Sequence, residues 1–169
     1  MLLCLAAAVP ALQAQQRESA LSDAEIEQLR DAAYFPASRV MVFVKIVDSR
    51  VDRLRALYAK ARQPGREEDT HDLLEQVTSI CDELQDNLDD YSTRHRDVRK
   101  QLPKLQDAIE RWTSTIRGLP EDEAYDVSRR LTLESLGDLR EEAAKMLEDQ
   151  KTWFAAHPPP KNGSTQSDR

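Results

Sequence analysis

The stretch that decides the fold runs from Leu74 to Leu119, LEQVTSICDELQDNLDDYSTRHRDVRKQLPKLQDAIERWTSTIRGL. Along it Leu74, Val77, Cys81, Leu84, Leu88, Tyr91, His95, Val98, Leu102, Leu105, Ile109, Trp112, Ile116 and Leu119 recur at alternating spacings of three and four. That alternation places one narrow apolar seam along a helix, and a seam of that width is buried by another helix rather than by a sheet. The sequence therefore predicts an all-α, elongated antiparallel helical bundle of four to five long helices with coiled-coil-like packing and no β-sheet.

Two arrangements of the seam compete. In one, a single helix covers about residues 68–117, kinked at Pro103 and roughly 75 Å long. In the other, the chain turns near Ser92 to Asp97 and two antiparallel helices share a register by coincidence, which happens about two times in seven because a heptad has two seam positions. Phase continuity favours the long helix. Asp90 and Arg94, spaced i,i+4, would support it through the disputed region.

The neighbouring segments are bounded by caps and prolines. Ser22 with Glu25 reads as a capping box, and Leu21 with Ile26 as a hydrophobic staple, so a short helix is expected from about Asp23 to Ala33. Val40 to Val47 is β-branched enough to suggest a strand. The register Val40, Val44, Val47, Val51, Leu54, Tyr58 makes it helical instead, apolar all round and expected beneath the short first helix. Pro64 and Gly65 should end this helix, with Gly65 at a left-handed cap. A last helix is expected from about Asp122 to Ala156, with Leu136, Leu139, Ala143, Met146 and Trp153 on its seam, widened by Leu131, Leu133 and Leu147. Gly137 interrupts it, which reads as a close crossing where no side chain would fit, with a hinge as the alternative.

The ends differ in composition from the body. Residues 1–14, MLLCLAAAVPALQA, carry no charge and suit the apolar region of a secretory signal cleaved after Ala14. The expected organisation is a signal peptide at 1–14, a flexible lead at 15–21, one bundle domain at 22–157 and a polar tail at 158–169, in which Asn162-Gly163-Ser164 matches a glycosylation sequon weakly. Localisation is then exported, periplasmic or extracellular, with no transmembrane span in the mature chain.

Charge and motif content narrow the function. The formal charge of −7, with Lys and Arg mixed among Asp and Glu, argues against a nucleic-acid partner. No Gly-rich phosphate loop, HExxH, CxxC or GxSxG occurs. Cys81, the one cysteine left after cleavage, falls on the seam and should be a buried, inert thiol. His95 occupies a seam position among Arg94, Arg96 and Arg99 and reads as a core histidine, while Trp112 and Trp153 read as core.

Two constellations could hold a divalent metal. Glu68 and His71 form a lone ExxH at a helix start, where acids also favour the helix dipole. Asp82, Glu83, Asp86, Asp89 and Asp90 form an acidic run that reads as a solvated face or a docking surface before it reads as a metal site. The expected function is an exported, non-enzymatic bundle acting as a binding, adaptor or scaffold module, with a protein partner or self-association and no cofactor. A divalent-metal- or small-ligand-binding bundle is the alternative.

Overall fold

A computed structural model describes residues 20–158, so the signal reading, most of the flexible lead, the polar tail and the sequon lie outside the described residues. Five helices occur among them: α1 (Asp23–Asp31), α2 (Pro36–Ala59), α3 (Arg66–Thr93), α4 (Leu102–Arg117) and α5 (Asp126–Ala156). No described residue is in a strand. Among the described residues no helix is long and apolar enough to cross a membrane.

The seam residues of 74–119 are buried as the register requires, with the exception of His95. The long helix, however, is broken. α3 stops at Thr93, and residues 94–101 turn the chain so that α4 runs back beside α5. The stop is a Schellman-type cap: Arg96 N–H donates to the carbonyl of Tyr91 (2.8 Å) and His95 N–H to that of Ser92 (3.1 Å), with His95 in the left-handed region at φ 50°. Glycine usually fills that position, so no glycine announced the turn. Pro103 falls in the first turn of α4, where a missing N–H costs no helical bond.

The side-chain pairs give the topology. Tyr58–Thr70, Arg50–Gln76 and Arg39–Glu83 make α2 and α3 antiparallel. His71–Ser128, Thr78–Thr132 and Asp82–Ser135 make α3 and α5 parallel. Asp48–Trp112 and Arg55–Thr115 make α2 and α4 parallel. α4 runs antiparallel to α5, while the backbones of α3 and α4 do not approach each other. The bundle is thus two antiparallel hairpins, α2–α3 and α4–α5, packed so that α3 and α4 stand at opposite corners and residues 94–101 cross between them.

Gln150 of α5 pins that crossover. Its amide oxygen accepts the Val98 N–H at 3.1 Å, and its nitrogen donates to the Arg96 carbonyl at 2.7 Å. Val98 is thereby drawn fully into the core.

α1 forms as its cap predicts: Glu25 N–H donates to Ser22 Oγ, and Ser22 N–H donates back to Glu25 Oε2 at 2.8 Å. It lies over α2, whose Val40, Phe43, Val44, Ile46 and Val47 are buried. Arg50, itself buried, binds Glu25 through both terminal nitrogens (2.6 and 2.7 Å), Gln76 through Nε and the Ala20 carbonyl. This fork on one carboxylate holds the Glu25 carboxyl down at about 2.

Several local expectations change. Gly65, at φ 84°, sits before the first residue of α3 instead of capping α2, which already ends at Ala59. α5 begins at Asp126, not Asp122. Residues 122–125 make a turn closed by Asp122, and the buried Tyr125 anchors it through bonds from its hydroxyl to Pro120 O (2.8 Å) and from Tyr58 (2.9 Å). Leu131 widens no seam, being 48% exposed. Trp112 is core, its indole N–H donating to Asp48 at 2.7 Å, but Trp153 is half-buried at the crossover end.

Candidate functional site

The residues singled out in the sequence are placed apart. Glu68 is exposed in the first turn of α3, where its charge suits the helix dipole, and His71 turns away from it. His71 instead lies between Ser128 (Oγ to Nδ1, 2.7 Å) and Glu75 (Nε2 to Oε1, 3.3 Å). The acidic run is spread over three directions. Asp82 accepts from Ser135 on α5, Glu83 faces Arg39 on α2 at 3.7 Å, Asp89 meets Glu142 on α5, and Asp90 pairs with Arg94. Asp86 is exposed. Among the described residues no three His, Cys, Asp or Glu side chains gather as a metal cluster.

Ser128, His71 and Glu75 repeat the order of a nucleophilic triad. In the tautomer that carries its proton on Nε2, His71 donates toward Glu75 and Nδ1 accepts the Ser128 hydroxyl. Yet Ser128 is buried in the α3–α5 contact, and neither of the two principal clefts includes it. The arrangement ties two parallel helices together, as Thr78 and Thr132 do further along (3.0 Å).

Cys81 is fully buried, and burial pushes its thiol up to about 12, with the neighbouring Asp82 adding to the effect. It is chemically quiet at neutral pH.

His95 is not a core histidine. It is exposed on the crossover, where its ring stacks on Trp153 at 4.1 Å, and His157 stacks on Trp153 at 4.4 Å. Arg99 covers Phe154 beside them at 4.3 Å. These aromatics share one end of the bundle with Tyr34 and Phe35, the turn between α1 and α2, which are 89% and 64% exposed.

A cleft of about 370 Å³ lies between α4 and α5. Ile109, Leu133 and Leu136 form its floor, Thr113 and Ser114 supply hydroxyls on one wall, and Arg117 and Arg140 stand at the rim with Glu110. Neither arginine has a carboxylate within 4.0 Å among the described residues. Gly137 opens this cleft: a Cβ built there would meet nothing within 4 Å, so no close helix crossing demands glycine. The sequence pointed to Gly137, and the reason lies in empty space beside the helix.

Such a cleft offers apolar contact at its base, hydroxyl donors and acceptors on a wall and two guanidiniums at the mouth, a setting for an apolar group that bears a carboxylate. Compared with known proteins, the chain matches no protein family, no curated protein and no solved structure.

Proposed function

We propose that this chain is an exported, non-enzymatic binding or adaptor module that receives a partner protein in the α4–α5 cleft. The observation that carries this reading is the pairing of Gly137, whose missing side chain leaves the cleft open, with Arg117 and Arg140, which have no carboxylate within 4.0 Å among the described residues. A partner's apolar side chain with an adjacent carboxylate would fill the floor and satisfy both guanidiniums. The acidic residues of α3 support the same choice of face, because most are already engaged within the bundle or by Arg94. Export rests on the apolar, uncharged residues 1–14.

The test is capture of the tagged chain from the exported fraction of its own cells, in parallel with Gly137→Leu and Arg140→Glu. A partner recovered near one-to-one with the parent chain, and lost with both variants, supports the reading. Recovery of the bait alone, or a partner indifferent to both changes, rejects it.

A further inference from the structure

The register that runs in phase from Leu74 to Leu119 is more than the compact bundle uses. The backbones of α3 and α4 stand apart at opposite corners of the bundle, so no direct packing of one helix along the other sets a common phase across residues 94–101. Those eight residues contain neither glycine nor proline. The turn they form holds His95 at φ 50°, a left-handed conformation that is unfavourable for a residue other than glycine. A short hinge under strain, joining two hairpins that are each internally packed, is the setting in which chains exchange elements.

We propose that this chain also forms a hairpin-exchanged dimer with a second copy of itself, in which residues 66–117 become one helix, kinked at Pro103 where the Arg99 carbonyl has no N–H to receive, and α4–α5 of one copy docks on α2–α3 of the other. The geometry permits it. Because α3 and α4 occupy opposite corners, a two-fold axis parallel to the α2–α5 diagonal brings α3 of one bundle into line with α4 of the next. Every contact between hairpins, such as Trp112 with Asp48 and Ser128 with His71, is then remade between copies. Val98 N–H and the Arg96 carbonyl, which need Gln150 in the compact form, find partners within the new helix. The crossover ends of the two bundles approach each other, and the eight helical residues leave about 12 Å between them. The exposed Tyr34 and Phe35 of both copies fall in that gap.

The test uses the full chain refolded at several hundred micromolar, with mass measured by light scattering after size separation. Spin labels at Asp72→Cys and Ser114→Cys in a Cys4→Ser background, diluted with unlabelled chain, report the distance within one chain. The exchanged dimer places them about 60 Å apart along one helix, against under about 30 Å across the compact bundle. His95→Gly, which removes the strain of the turn, should lower the dimer fraction at least fivefold. Gln150→Leu, which removes partners that only the compact form needs, should raise it. A monomer at every concentration, in the parent and Gln150→Leu alike, overturns the proposal. So does a dimer whose intrachain distance stays short, because that dimer joins unexchanged bundles.

Discussion

Val98 and Gln150, 52 positions apart, are joined by a bond of 3.1 Å between backbone N–H and side-chain oxygen, and it fixes where the chain crosses the bundle. The same Gln150 is bound to Arg96, so one side chain satisfies two backbone groups of the crossover, one buried and one half-buried. Replacing it by leucine leaves both without partners in the monomer. At low micromolar concentration Gln150→Leu should cost about 2 kcal/mol in urea unfolding, with no loss of helix content by circular dichroism before the transition.

Glu25 and Arg50 attach α1 to the bundle. The Glu25 carboxyl is held at about 2, chiefly by its bonds with Arg50, against an ordinary value of 4.5. The folded state therefore binds this proton less tightly, and the stabilisation is complete above about 4.5 and lost as pH falls toward 2. Hydrogen exchange of the α1 amides should accelerate across that window while the α3 amides remain protected. Glu25→Gln should weaken attachment of α1 by about 2 kcal/mol at neutral pH.

Glu142 behaves oppositely. Burial between α3 and α5, followed by the adjoining Asp89 carboxyl, raises it to about 7. The folded state binds this proton more tightly than the unfolded chain, so the contribution is whole below about 4.5 and declines as pH rises through 7. Melting temperature should fall across that interval. Asp89→Asn should raise it at pH 8 and leave it nearly unchanged at pH 5; equal shifts at the two pH values would remove the carboxyl pair as the cause.

Gly137→Ala meets no atom within 4 Å and removes a glycine from the interior of α5. It should stabilise the fold by up to about 1 kcal/mol. A destabilised variant in thermal unfolding would mean that the glycine serves the backbone and not the cleft.

Seam residues such as Leu84, Leu105 and Trp112 were legible because a heptad repeat translates directly into burial. The capping box at Ser22 and Glu25 was legible because it is local. The crossover was not, since it rests on a histidine in a glycine's conformation and on a bond from Gln150, distant in sequence and polar in a core position. His95 misled for the same reason: its seam position describes a helix that the compact chain does not form. The candidate site was half visible. Gly137 marked a place in α5, but Arg117 and Arg140 become rim residues only once α4 folds back against it. His71 was singled out with Glu68, whereas its partners are Glu75, one turn on, and Ser128, on another helix.

Cys81 carries a consequence for chemical lifetime. With its thiol raised to about 12 and no surface exposed, Cys81 is held as the thiol at pH 7, whereas thiol–disulfide exchange proceeds through the thiolate. In oxidising surroundings the folded chain is thus slow to form mixed disulfides or sulfenic acid, and adducts at Cys81 would accumulate at the rate at which α3 leaves the core. Trapping of that thiol by a small alkylating reagent is therefore a clock for opening of the bundle.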